Sequence, residues 1–189
     1  AEWGFMVVAD AKTGAILSYS TMPSFDPNKK DMTSYIDLLT GNTYEPGSTF
    51  KIITIATALE EKLIDLQNDT YYDGGSIGVE NARIKCWKHG GHGAQTFLQV
   101  VENSCNPGFV VLGQKIGKEK LFEYIDKFGF GEKTGVDLNG ESNGIIFNLD
   151  RVGPVELATT SFGQGVSVTP IQQITAVSAA INGGYLMKP

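Results

Sequence analysis

Two short stretches of the chain carry residue types that could perform acyl transfer. The first is Glu45-Pro46-Gly47-Ser48-Thr49-Phe50-Lys51. A serine three residues before a lysine, in the first turn of a helix, puts both side chains on one face. A serine hydroxyl is a weak nucleophile until a base takes its proton. A lysine can be that base only where burial lowers its pKa from about 10.4, and the apolar run beginning at Phe50 offers such burial. The free N–H groups of a helix start could also stabilise an oxyanion beside the serine. The plainer reading is a serine near a helix start with a lysine reaching outward, because S-x-x-K is a common spacing.

Ser104-Cys105-Asn106 is the second stretch, and Pro107-Gly108 directly after it marks a turn. Residues i and i+2 of an extended or turned segment point the same way, which would present Ser104 and Asn106 together. A second hydroxyl can relay a proton between the lysine and a leaving amine, and a carboxamide can both donate to and accept from a peptide. Against this stands an Asn-Pro turn whose polar side chains merely satisfy backbone groups.

A third group is Cys86-x-x-His89-x-x-His92, with Cys105 downstream. Two thiols and two imidazoles suit tetrahedral zinc, and the short spacing lets several ligands converge. Cys105, lying between Ser104 and Asn106, is expected to face away from them. A metal bound by Cys86, His89, His92 and Cys105 would clamp the Gly-rich loop to the back of the turn, which is a structural role. Two alternatives stay open: a Cys86–Cys105 disulfide in an extracytoplasmic compartment, or a small buried cysteine beside a core histidine. One histidine could be a bystander with Asp73 or water in its place, and His89 is the weaker of the two.

These residues need elements to hold them. Phe5-Met6-Val7-Val8-Ala9 reads as a buried strand, residues 10–14 as a turn and Ala15-Ile16-Leu17-Ser18-Tyr19 as the returning strand. Pro23 and Pro27 deny the next loop both helix and central strand. Phe50, Ile53, Ala56, Leu59 and Leu63 recur at helical spacing behind Pro46-Gly47, and this helix is expected in the core. Residues 71–93 read as a Gly-rich loop with one short strand pair. Helices are predicted over 95–102, 109–116, 121–128 and 170–180, with a break at Asn106-Pro107 and a stop at Asn182-Gly183-Gly184. The class is α+β, with most of the sheet unseen.

Composition narrows the functions. The chain has 189 residues, enough for one domain with a real core. Its 15 Lys+Arg against 21 Asp+Glu give a net charge of -6, which argues against a nucleic-acid binder. No run approaches the roughly 20 apolar residues of a membrane span. The chain opens in mid-pattern at Ala1-Glu2-Trp3-Gly4, so it reads as a piece of something longer.

S-x-x-K followed by S-x-N is the active-site signature of penicillin-binding proteins and serine β-lactamases. The resemblance extends further. Ser24-Phe25-Asp26-Pro27-Asn28, residues 44–51, Gly91-His92-Gly93, residues 128–141, and Ser161-Phe162-Gly163-Gln164-Gly165 with Thr169-Pro170 look like the class B penicillin-binding transpeptidases. Within that class, Lys85-Cys86-Trp87 and residues 103–109 most resemble a sporulation-specific member.

The resemblance implies an antiparallel sheet with a helical subdomain, and residues 1–189 as the N-terminal portion of a transpeptidase domain. It implies that Ser48 attacks the D-Ala-D-Ala carbonyl of a peptidoglycan stem peptide, with Lys51 as general base. Ser104 would pass the proton on and Asn106 would hold the substrate amide. β-Lactams would acylate the same serine. The family is extracytoplasmic and membrane-anchored through a segment absent from this chain. Its third motif, K-T-G on a strand across the cleft, is expected beyond Pro189, together with the second oxyanion N–H. Lys12-Thr13-Gly14 reads instead as a hairpin turn, and Lys133-Thr134-Gly135 falls in a segment that the family carries away from the cleft.

The function expected is therefore a DD-transpeptidase in peptidoglycan synthesis, with the residues around Cys86 and Cys105 suggesting the spore cortex. A serine β-lactamase or β-lactam sensor shares the nucleophile and base, but the class B stretches argue against it. An inactive zinc-stabilised fragment is the alternative of a different kind.

Overall fold

The computed structural model describes residues 3–29, 32 and 34–189. In chain order the strands are β1 (Gly4–Ala9), β2 (Ile16–Met22), β3 (Thr70–Asp73), β4 (Ser76–Val79), β5 (Ala82–Lys85) and β6 (Gly93–Thr96). The helices are α1 (Lys51–Glu60), α2 (Phe97–Glu102), α3 (Asn106–Ile116), α4 (Lys118–Lys127), α5 (Pro154–Thr160) and α6 (Pro170–Ile181). They fall into two units, one of 1–44, 128–145 and 167–189, the other of 45–127 and 146–166.

The first unit contains the expected hairpin. β1 and β2 pair antiparallel, with Val7 opposite Tyr19. Asp10 makes the turn, its Oδ1 accepting the N–H groups of Lys12 and Thr13 at 2.8 and 3.0 Å. Lys12-Thr13-Gly14 is thus hairpin turn, as its sequence suggests. The expected burial of β1 does not hold: Met6 is 71% exposed and Val8 49%. The two strands form a sheet of their own, so no third strand among the described residues covers these side chains. α6 opens with a capping box, Thr169 Oγ1 accepting from Gln172 N and Gln172 Oε1 from Thr169 N. Lys133-Thr134-Gly135 lies in a loop whose N–H groups at Thr134 and Gly135 are gathered by the Glu141 carboxylate.

The second unit is built around α1 and α3, with Phe50, Ile53, Phe97, Val100, Phe109, Leu112, Leu121 and Ile125 at most 2% exposed. Small residues let the helices close up. A Cβ at Gly113 of α3 would stand 2.7 Å from Ser161 Cβ, at the end of α5. The buried stripe of α1 differs from the expected one. It runs Lys51, Ile53, Thr54, Thr57 and Ala58, while Leu59 is 41% exposed. Two threonines enter the core because their hydroxyls are satisfied at once, Thr54 by Ser161 O and Thr57 by Ile53 O, each at 2.8 Å.

Three further local expectations change. The Gly-rich segment holds two strand pairs rather than one, β3 with β6 and β4 with β5. Gln95 belongs to β6, and the next helix starts at Phe97 behind a capping box of Thr96 and Gln99. Asn106-Pro107 opens α3 instead of breaking a helix, since proline lacks only an N–H that has no partner in a first turn. The short helix α5, also opened by a proline, had no strong apolar period to reveal it.

Candidate active site

Ser48 lies exposed in a 3-10 turn, Gly47–Phe50, that runs directly into α1. Two backbone ties fix its approach. Gly47 N–H donates to Gly163 O at 2.9 Å, and Gly165 N–H donates to the Glu45 carboxylate at 2.9 Å. Lys51, the first residue of α1, lies three positions on and is only 4% exposed. Of the N–H groups at this start, that of Gly47 is taken by Gly163 O and that of Thr49 by Pro46 O.

Lys51 Nζ makes three short contacts. It donates to the backbone oxygen of Ser104 at 2.7 Å, to Ser104 Oγ at 2.9 Å and to Asn106 Oδ1 at 2.6 Å. The Phe109 ring lies 5.1 Å from the same nitrogen. Burial lowers the Lys51 pKa to about 8, partly opposed by the negative charge that Cys105 and Cys86 can carry. An amine so tuned is partly neutral near neutral pH and can accept a hydroxyl proton.

Ser104 reaches this position through an unusual backbone. The end of α2 forms a Schellman motif: Ser104 N–H bonds Val101 O at 2.9 Å and Cys105 N–H bonds Val100 O at 3.0 Å. Glycine normally occupies the left-handed residue of that motif, but here it is Ser104, at φ 48. Cys105 then turns back to extended conformation as the N-cap residue of α3, and Asn106 begins that helix. The expected convergence of Ser104 and Asn106 therefore occurs, at a helix–helix junction rather than in an open turn.

Cys105 points the other way, fully buried, with its Sγ donating to Asp73 Oδ2 at 3.3 Å. His92 Nδ1 lies 3.0 Å from that carboxylate oxygen and 3.3 Å from Cys86 Sγ. Ligand atoms of Asp73, Cys86, His92 and Cys105 all fall within 4.8 Å of one another. A tetrahedral site with bonds of about 2.0–2.3 Å has ligand–ligand edges of about 3.3–3.8 Å, so the residues fit a zinc ion with little movement. Burial pushes the Asp73 carboxyl up, but hydrogen bonds from Cys86, His92 and the N–H groups of Gly75 and His92 outweigh it and hold it well below the usual range. Burial raises both thiols, Cys105 to about 12.

His89 stands outside this group. It is exposed, and Asp73 of β3 takes the place that the C-x-x-H-x-x-H spacing assigns to it. The reason is topological. Asp73 pairs with Gly93 across β3–β6, which sets its carboxylate beside His92; His89, separated from His92 by Gly90 and Gly91, is exposed. The sequence offers this carboxylate, thirteen positions before the first cysteine, only as a substitute for one histidine, and the strand pairing is what sets it beside His92. Two neighbours also escape a sequence reading. Trp87 Nε1–H donates to Asn103 O at 2.8 Å, and Asn103 Nδ2 donates to Gln95 Oε1 at 3.1 Å.

Comparison with known proteins gives a consistent picture. The family model described as penicillin binding protein transpeptidase domain matches residues 4–189. The chain is 61% identical, over 98% of its length, to stage V sporulation protein D of Bacillus subtilis (strain 168), and covers 30% of that protein. It is 34% identical, over 97% of its length, to penicillin-binding protein PbpB of Mycolicibacterium smegmatis, covering 29% of it. The chain thus spans about a third or less of these curated relatives. Among solved structures it resembles penicillin binding protein 3 of Mycobacterium tuberculosis, complexed with aztreonam, at a TM-score of 0.87 and 30% identity, covering 96% of this chain and 41% of that one.

Proposed function

Because this chain belongs to the penicillin-binding protein transpeptidase family, we propose that it supplies the nucleophile and proton-handling groups of a peptidoglycan DD-transpeptidase. The observation that carries this reading is the seat of Lys51 Nζ, buried and within 2.9 Å of both Ser104 Oγ and Asn106 Oδ1, three residues from an exposed serine. Ser48 Oγ attacks the carbonyl of a D-Ala-D-Ala stem peptide while its proton passes to neutral Lys51. The tetrahedral intermediate collapses, breaking the amide bond to the terminal D-alanine. The leaving amine takes its proton from Lys51 through the Ser104 hydroxyl. An amine from a neighbouring stem peptide then attacks the acyl-enzyme, frees Ser48 and leaves a cross-link. Asn106 orients the substrate amide. β-Lactams acylate the same serine, a reading in keeping with the aztreonam complex of the similar mycobacterial protein.

The wider assignment follows the relatives. Residues 1–189 are the N-terminal portion of the transpeptidase domain, in a protein anchored to the membrane and working outside the cytoplasm. No helix of the described residues is long and apolar enough to cross a membrane itself. The likeness to stage V sporulation protein D favours a part in the spore cortex. Asp73, Cys86, His92 and Cys105 would hold a zinc ion in a structural role. Bound there, it would hold both cysteines as thiolates and tie the β3–β6 pair to the α2–α3 junction.

An intact-protein mass spectrum with and without penicillin tests the central claim. The expected result is a one-to-one adduct that is lost in Ser48→Ala. An adduct that survives this substitution would remove Ser48 from its role.

A further inference from the structure

Trp87 is 67% exposed, yet it is tied down at two points. Its ring stands edge-on to His92, with centroids 5.3 Å apart. Its Nε1–H donates to Asn103 O at 2.8 Å. A side chain so exposed gains little from burial, so the bond to Asn103 is its distinctive contribution. Asn103 is the C-cap residue of α2 and immediately precedes Ser104.

The Schellman bonds occupy the N–H groups of Ser104 and Cys105 but leave the Asn103 carbonyl without a helical partner. Trp87 fills that vacancy. The peptide plane between Asn103 and Ser104 then has its N–H bonded to Val101 O and its C=O bonded to the indole. It cannot rotate without losing both. Gln95, 4% exposed, holds the Asn103 carboxamide as well. This peptide plane sets the left-handed φ of Ser104, a conformation that costs a non-glycine residue free energy and needs surroundings that enforce it.

We propose that Trp87 is a positioning residue for the transpeptidation site: its indole N–H locks the 103–104 peptide plane and so keeps the Ser104 hydroxyl on Lys51. The inference rests on the reading of Ser104 as proton relay. It adds a residue from the Gly-rich loop whose ring and N–H meet His92 and Asn103.

The test follows acylation by a fluorescent penicillin in the full chain, resolved into initial affinity and acylation rate, with a thermal melt of every variant. Trp87→Phe keeps an aromatic ring beside His92 and removes only the N–H donor. Its acylation is expected to slow by about two- to tenfold, the usual worth of one hydrogen bond, with affinity unchanged and the melting temperature lowered by a few degrees at most. The discriminating variant is Trp87→Phe combined with Ser104→Ala, expected to be no slower than Ser104→Ala alone, because the indole acts only through the hydroxyl. Wild-type acylation in Trp87→Phe overturns the proposal, as does an equal slowing in the presence and absence of Ser104. A parent chain without a Ser48-dependent adduct, or a Ser104→Ala variant as fast as the parent, refutes the site reading first and takes this inference with it.

Discussion

Gly163 passes so close to Gly47 that a Cβ built on it would overlap the Gly47 carbonyl oxygen, while its own oxygen accepts the Gly47 N–H. Its φ of +81 is also in the left-handed region. Gly163→Ala therefore meets both a steric and a torsional penalty, at the point that sets where Ser48 begins its turn. A destabilisation of about 2–4 kcal/mol is expected, with slower acylation in whatever folded protein remains. Chemical denaturation measures the first, and an unchanged midpoint would show that the close approach relaxes freely.

Lys51 gives the acylation rate a definite pH profile. With burial lowering its pKa to about 8, the neutral base grows as pH rises toward 8 and saturates above it. The rate should climb about tenfold per unit well below that value and flatten beyond it. A stopped-flow profile without an inflection between about pH 7 and 9 would contradict Lys51 as the base. Stability carries the opposite face of the same shift. The unfolded lysine keeps its proton up to about 10.5, so burial of the ammonium costs stability at all pH values below about 8. That cost declines as pH rises from about 8 to 10.5, and in Lys51→Met this contribution to the slope should vanish.

Ser104→Gly separates stability from chemistry. Glycine is the natural residue at φ 48 in a Schellman motif, so the variant should melt at the parent temperature or a few degrees above it. Acylation should nevertheless fall at least tenfold, the hydroxyl being gone. A variant that melts much lower would show that the hydroxyl's bond with Lys51 outweighs the backbone strain.

For the metal, zinc content by atomic absorption should approach one per chain in the parent and in His89→Ala. It should fall sharply in Asp73→Ala, Cys86→Ser and His92→Ala. Chelation should lower the melting temperature of the parent but not of Cys86→Ser. Equal zinc loss in His89→Ala would restore the ligand set expected from spacing alone.

How much of this was legible in the sequence depended on the range of the interaction. The hairpin followed from local turn chemistry at Asp10 and Gly14, and α1 from its apolar spacing. S-x-x-K and S-x-N single out Ser48, Lys51, Ser104 and Asn106, and the last three meet in the structure. The α1 stripe was misread because Thr54 and Thr57 count as polar until their carbonyl partners are known. Spacing alone puts His89 in the cluster and leaves Asp73 a substitute, because strand pairing between β3 and β6 has no signature at short range. The bond of Trp87 to Asn103 has no sequence signal, since a single indole N–H meeting a helix-end carbonyl leaves no pattern in a linear string.

The run Ser104-Cys105-Asn106 serves two destinations from three consecutive residues. Its outer members reach Lys51, while the middle one turns back to Asp73. The middle letter of S-x-N, a position that chemistry at the serine leaves free, is thereby committed in this protein. A one-residue insertion or deletion there would part the outer residues from Lys51 or the middle one from Asp73, so neither site can drift in sequence without carrying the other along. For anyone grafting or redesigning this region, the unit to be moved is the whole junction from Gln95 to Phe109, and not the motif alone.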